Sequence, residues 1–397
     1  MSVFGTRPEA VKMAPVVSAL RQAGPDISSL VVVTAQHREM LDQVLRHFAI
    51  RSDYDLDIMR PRQTLTQITV RALRGLEAVL ERQRPHLVLV HGDTSTTFAA
   101  SLAAFFHRVP VGHVEAGLRT GERYAPFPEE MNRRLTAVLA QLNFAPTPRA
   151  AANLAREGVD PAVVFVTGNT AIDALYQTYS PAYRFVTPGL EGLGAGGRRL
   201  VLAEAHRREN WGRRMEDICR ALRRLVDAFP EVDLLFSVHR NPQVDSVVRR
   251  ELGGHPRVSL LAPLPYPEWA NLVGRAHFVV SDSGGVQEEA PSLGVPVLLL
   301  RDVTERPEAI EAGTVRIVGT DASRVFEACA GLLRDPDQHR AMATAVNPYG
   351  DGRAAERIVA AIRYAFGLGP RPPDFAPPPP GAARPTKTEG FRGRGQN

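Results

Sequence analysis

Only two cysteines, Cys219 and Cys329, occur in 397 residues, far apart and in helix-like stretches. That excludes a disulfide framework and a cysteine-based metal centre, and leaves both as small buried apolar side chains. No apolar run reaches the ~18 residues of a membrane helix. The opening Met1-Ser-Val-Phe-Gly-Thr-Arg7 has neither the apolar core of a signal peptide nor the composition of a transit peptide, so the cytoplasm is the expected location. A strong charge bias is also missing. The formal charge is +5, and from Pro370 onward five basic residues face two acidic ones, so about +2 is left for the rest. The expectation is therefore no nucleic acid and no membrane as partner.

What is present is an alternation of apolar runs and amphipathic stretches. Leu30 to Thr34 and His86 to His91 have the Val/Leu content of buried parallel strands, and Val111 to Glu115, Leu142 to Ala145 and Val163 to Val166 are further strand candidates. Leu65, Ile68, Ala72, Leu76 and Val79 recur at helical spacing, and further helices are expected at Thr96 to Phe106 and Glu129 to Gln141. The Pro/Gly-rich stretch 180–197 breaks the pattern, which resumes with strands at Arg199 to Ala203, Asp233 to Val238, Val258 to Leu261, Phe278 to Ser281 and Val295 to Leu300. The reading is α/β, with two Rossmann-like, doubly wound domains and the active site expected in the cleft between them. The expected limits are 1–170 for the first domain, 171–352 for the second with 180–197 as linker or long loop, and 353–368 for a last helix. A structureless Pro/Arg tail is expected over 369–397, where eight of the 32 prolines fall.

Two motifs are discarded. Gly192-Leu-Gly194-Ala-Gly-Gly197 matches GxGxxG but precedes a strand instead of joining a strand to a helix. His113-Val-Glu115 has the HxE of zinc deaminases with no CxxC after it. No metal is expected.

Four constellations carry chemistry. In Phe4-Gly-Thr-Arg-Pro-Glu9, Thr6 and Glu9 form a T-x-x-E capping box and Pro8 suits a first helical turn. Capping leaves Arg7 unexplained, and Arg7 lies in a turn whose N–H groups favour an anion. In Ser281-Asp-Ser283-Gly284-Gly285, a strand runs through paired glycines into a helix, a turn that fits a diphosphate. Glu289 lies ~6 Å further on, in reach of ribose hydroxyls. The plain alternative makes Ser283 an N-cap and the acids dipole partners. Asp93, Glu115 and Glu129 follow strand ends or open a helix. Each has a structural alternative: a cap, a satisfied buried acid, an i,i+4 pair with Arg133. Together they crowd like charges, which raises at least one pKa above the ordinary ~4, as acid–base work at neutral pH requires. Last, His206-Arg207-Arg208 follows the first strand of the second domain, and His239 follows the next, a setting suited to phosphate.

The strings FGTRPEAVKMAP, TAQHREMLDQVL, VHGDTSTTFAASLAAF, GHVEAGLRTG, PFPEEMNRRL, VTGNTAID, HRREN, SDSGGVQEEAPSLGVPV, RDVTERPEA and NPYGDGRA resemble the non-hydrolysing UDP-N-acetylglucosamine 2-epimerase family over residues 3 to 367. The resemblance implies a GT-B fold, a homodimer, no cofactor, and UDP-N-acetylglucosamine and UDP-N-acetylmannosamine as ligands. It matches Asp93, Glu115 and Glu129 to the family's essential acids, and Arg7, Lys12, Arg133 and His206 to its substrate and phosphate contacts. Ser283, Gly284 and Gly285 match the diphosphate loop and Glu289 the ribose contact. Gln36, Arg207 and His239 match part of a regulatory site for a second UDP-N-acetylglucosamine. The last helix is expected to cross back onto the first domain. Three departures stand out. Only Met1, Ser2 and Val3 precede Phe4, Glu204 replaces the usual threonine, and Arg240 stands where an apolar residue is common.

The implied reaction is loss of UDP, proton removal at C2 to give 2-acetamidoglucal, and re-addition with a proton returned to the other face. Competing expectations are a GT-B glycosyltransferase, a hydrolysing epimerase releasing N-acetylmannosamine, and a non-catalytic sugar-nucleotide sensor.

Overall fold

Short valine- and leucine-rich runs bounded by glycine and polar turns suit strands covered on both faces, and the computed structural model forms them so. It describes residues 1–35, 38–60 and 62–377, which fall into two units, residues 1–177 with 349–376, and residues 178–348.

The first unit runs β1 Ser2–Phe4, α1 Arg7–Gln22, β2 Val31–Val33, α2 Arg38–His47, β3 Tyr54–Asp55, α3 Leu65–Gln83, β4 Val88–His91, α4 Ser95–Phe106, β5 Val111–Val114, α5 Glu129–Leu139, β6 Leu142–Ala145, α6 Pro148–Arg156, β7 Val164–Val166 and α7 Thr170–Thr178. Its seven strands are all parallel in the order β3-β2-β1-β4-β5-β6-β7. The second unit runs β8 Arg199–Glu204, α8 Arg213–Ala228, β9 Val232–Ser237, α9 Pro242–Leu252, β10 Val258–Leu261, α10 Tyr266–Arg275, β11 Phe278–Ser281, α11 Gly284–Glu289, β12 Val297–Leu299, α12 Pro307–Glu311, β13 Val315–Ile317, α13 Ala322–Arg334 and α14 Pro336–Thr344. Its six strands are parallel in the order β10-β9-β8-β11-β12-β13. Each sheet is Rossmann-like, and each reverses strand order once, between β1 and β4 and between β8 and β11. Ligands of such sheets bind beyond the carboxyl ends of the strands at that reversal.

Apolar burial holds the layers. Val3, Val32, Val88 and Val90 pack with Leu76 and Val79 of α3 and Ala100 and Ala103 of α4. A fully buried leucine such as Leu76, 1% exposed, contributes roughly 1.5–3 kcal/mol. The helical spacing seen in the sequence is thus the buried face of α3, and Thr64 and Gln67 close its start with a capping box. Stretch 180–197 forms no regular element, but Glu268 of α10 pins it by accepting from Val186 N and Thr187 N at 2.8 and 2.7 Å.

The last helix, α15 Ala354–Ala365, belongs to the first unit and packs on α1. The stretch after it differs from expectation. Phe375 N donates to Val166 O at 2.7 Å, Asp374 Oδ1 accepts from Val166 N at 2.9 Å, and Arg371 donates to Ala162 O and Val164 O. The Arg371 guanidinium lies 4.2 Å from the centroid of the Phe165 ring. Residues 371–375 thus strap the open edge of β7, whose unpaired backbone groups need partners. Against the expectation of a structureless stretch from 369, residues 371–375 are held; residues 378–397 of that expected tail lie outside the described residues. Among the described residues no helix is long and apolar enough to cross a membrane.

Candidate active site

The first unit gathers side chains at its strand reversal. The β1–α1 turn approaches β2 so closely that a Cβ on Gly5 would lie 2.0 Å from Thr34 Oγ1. Thr6 caps α1, and Glu9 completes the box by accepting from Gly5 N and Thr6 N at 3.1 and 2.8 Å. The other Glu9 oxygen accepts from Thr94 and Thr97 at 2.7 and 3.2 Å, which ties this turn to the one after β4. The capping expectation therefore holds, and it covers only half of what Glu9 does. Half-buried Arg7 starts the helix, and Lys12 lies farther along it.

Lys12 Nζ pairs with Glu115 at the end of β5. The same Glu115 oxygen accepts from Asn169 Nδ2 at 3.1 Å and lies 3.8 Å from His91 Nε2. Glu115 takes φ +63°, a left-handed conformation that disfavours non-glycine residues and clusters at functional sites. One strand over, Asp93 pairs with Arg133, which also reaches Glu130 at 3.4 Å. Asn132 Nδ2 donates to Asp93 O at 2.9 Å. Buried Glu130 accepts from Thr120 N and Gly121 N, so the 117–121 loop and Arg133 share one anchor. Glu129, half-buried, opens α5 one turn before Arg133. His113 Nε2 bonds Gly92 O at 2.7 Å, and burial pushes its pKa down to about 3, so the HxE histidine is a neutral core group.

The second unit does the same at its own reversal. Asp282, fully buried, accepts from His206 N, Arg207 N and Asn210 Nδ2 at 3.0, 3.0 and 2.9 Å and so fixes the β8 loop against the β11 loop. The His206 and His239 rings stack with centroids 6.2 Å apart. Burial, then His206, holds His239 below its ordinary pKa. Ser283 precedes α11, and its N–H donates to Ser281 Oγ at 2.9 Å. A Cβ on Gly284 would lie 2.6 Å from Arg306 Nη1, so a guanidinium lies directly beneath the glycine turn. Arg306 Nε donates to Glu288 Oε1 at 2.7 Å, and Arg306, Arg301 and Arg207 all reach Glu305. Burial alone would raise Glu305; the three guanidiniums outweigh it and hold the carboxyl well below its usual range. Tyr266 OH donates to Glu289 Oε1 at 3.4 Å; burial and Glu289 both raise the phenol, which stays protonated.

Arg7 and Lys12 on α1, Asp93 after β4, His206 and Arg207 after β8, and Ser283 to Glu289 after β11 flank the two strand reversals; Glu115 after β5 and His239 after β9 lie one strand further out, and Glu129 and Arg133 lie on α5. Gln36 lies outside the described residues. Sequence reasoning missed Asn169, Glu130, Asp282, Glu305 and Arg306. Asp282 and Glu305–Arg306 sit inside SDSGG and RDVTERPEA, strings already noted as wholes. Nothing in spacing points Asn169 at Glu115.

Two tandem parallel-sheet units with a charged group at each reversal make this a GT-B-type chain. The family described as UDP-N-acetylglucosamine 2-epimerase matches residues 19–363. The UDP-N-acetylglucosamine 2-epimerase of Bacillus subtilis is 51% identical over 374 residues, covering 94% of this chain and 97% of its own. A solved chain from Listeria monocytogenes is 52% identical with a TM-score of 0.91, covering 95% and 98% of the two chains. The UDP-GlcNAc 2-epimerase of Neisseria meningitidis, solved bound to UDP-GlcNAc, is 46% identical with a TM-score of 0.83, covering 91% and 99%. The chain belongs to the UDP-N-acetylglucosamine 2-epimerase family and is an isomerase.

Proposed function

We propose that this enzyme interconverts UDP-N-acetylglucosamine and UDP-N-acetylmannosamine without hydrolysis. The observation that carries the reading is the pair of cation-held carboxylates at neighbouring strand ends, Glu115 with Lys12 and Asp93 with Arg133. C2 is not next to a carbonyl, so its proton is hard to remove directly. As the C1–O bond breaks, UDP takes the bonding pair and C1 becomes electron-poor. The C2 proton then passes to a carboxylate, and its electron pair forms the C1=C2 bond of 2-acetamidoglucal. A UDP oxygen re-adds to C1 while another acid returns a proton to the opposite face of C2. Asp93, Glu115 and Glu129 serve these transfers. Arg7, Lys12, Arg133 and His206 balance phosphate and developing charge. Ser283, Gly284 and Gly285 take the diphosphate, and Glu289 the ribose. A glycosyltransferase would have no task for several acids.

Arg207 and His239 serve a regulatory site for a second UDP-N-acetylglucosamine, to which the family resemblance also matches Gln36. Its mark is a lag in the reaction run from the mannosamine epimer, abolished by added UDP-N-acetylglucosamine; full-rate reverse curves with no such response count against it. A homodimer is supported by exposed Phe105 and Phe106 on α4 and Val138 on α5, helices that pack together and present apolar side chains to solvent. The product supplies N-acetylmannosamine for cell-surface polysaccharide, made in the cytoplasm. The test of the central reading is NMR of pure protein with UDP-N-acetylglucosamine alone. A mixture of the two UDP-sugars is expected, and free N-acetylmannosamine would favour the hydrolysing reaction.

A further inference from the structure

Asn169 stands between β7 and α7 and is 2% exposed. Its Oδ1 accepts from Ala171 N at 2.9 Å, which caps α7. An amide with its oxygen committed to a backbone N–H has its NH2 on the other side, and Nδ2 donates to Glu115 Oε2 at 3.1 Å. The Asn169 main chain is fixed as well, for its N–H donates to Tyr349 O at 2.7 Å. A Cβ on Gly350 would come within 3.4 Å of that nitrogen, so the returning chain at 349–350 is fitted closely around it. One side chain therefore joins a helix cap to a carboxylate 54 residues away.

We propose that Asn169 is a positioning residue for Glu115. It acts through that carboxylate, and the proposal rests on the reading of Glu115 as an acid–base group. Lys12 from α1 supplies charge to the same oxygen, and His91 from β4 lies within 3.8 Å. An ammonium on a flexible stem balances charge from many directions. A buried, doubly anchored amide selects one, which is what a proton transfer at a fixed carbon needs.

The test uses Asn169→Asp and Asn169→Ser. Both keep an oxygen able to cap Ala171 N, and neither can donate to Glu115 as the amide does: the first places a carboxylate there, the second is too short. The expected result is kcat lower by at least about 10-fold with KM within about 3-fold; Asn169→Ser should melt within about 3 °C of the parent, and Asn169→Asp lower, because it buries a second carboxylate beside Glu115. In Asn169→Asp the acid limb of the kcat–pH profile should also move up, since like charges oppose ionisation. Glu115→Gln is run beside them. If it is inactive while both Asn169 variants turn over within about 2-fold of the parent with the same pH profile, the positioning role is overturned and the reading of Glu115 stands. If Glu115→Gln turns over normally, that reading fails and the positioning role with it. Loss of fold in both Asn169 variants would assign the residue to the scaffold and equally overturn the proposal.

Discussion

Lys12 and Glu115, 103 residues apart in the chain, form an ion pair whose side chains are only 11% and 10% exposed. Removing one partner of such a pair strands the other in a poorly solvated place and costs about 3–5 kcal/mol. Lys12→Met should therefore lower both turnover and stability. Lys12→Met with Glu115→Gln should regain stability and not turnover. Chemical denaturation of the single and double variants checks this; a double variant less stable than either single one would contradict it.

Asp93→Asn, Glu115→Gln and Glu129→Gln should each reduce kcat at least about 100-fold, the scale of a lost acid–base group. Asp93, 28% exposed on its side chain, and half-buried Glu129 should be replaced with little effect on melting. Glu115→Gln should melt lower, because Lys12 loses its counter-charge. Steady-state rates near the parent in all three would dismiss the carboxylate mechanism.

The layers were legible because burial writes itself into periodicity. The five apolar positions of α3 and the short apolar runs of β6, β10 and β11 needed only local pattern, and the Thr6–Glu9 box only local spacing. Tyr54–Asp55 was not legible, since two residues carry no period and β3 exists by pairing with β2. Glu115 was legible as a strand-end acid, but its positive φ was not, because nothing in the residue type favours it. Arg306 beneath Gly284, Asp282 beneath His206 and Asn169 beside Glu115 depend on packing between segments far apart in sequence.

The strap over β7 makes a prediction about truncation. Phe375 is 4% exposed, and burying such a ring is worth roughly 1.5–3 kcal/mol. Ending the chain after Gly369 should lower the melting temperature by several degrees, at ~2–4 °C per kcal/mol. Ending it after Pro377 should not, as the Pro-, Gly- and charge-rich composition that follows has little apolar surface to bury. Equal melting of both truncations and the full chain would show that the strap contributes nothing.

His113 gives a sign for pH. Its folded pKa, about 3, lies below the 6.5 of an unfolded histidine because burial opposes the charge. A depressed histidine contributes stability that is complete above pH 6.5 and is lost as pH falls toward 3. His113→Gln keeps a donor for Gly92 O and carries no proton of this kind. The stability of the parent relative to His113→Gln should therefore decline from pH 6.5 to pH 4. A difference independent of pH would mean that burial leaves the pKa of His113 unshifted in the fold.

The most direct test of the elimination mechanism follows C2 by NMR during turnover in D2O with no added cofactor. A carboxylate that holds the removed proton while 2-acetamidoglucal waits exchanges with solvent. Deuterium should therefore enter C2 of product and of recovered substrate, with traces of UDP and 2-acetamidoglucal in solution. A glycosyl transfer breaks C1–O without touching C2–H, and a hydride shuttle keeps the atom internal. Epimerisation with C2 fully protiated, or a requirement for added NAD, would contradict the account.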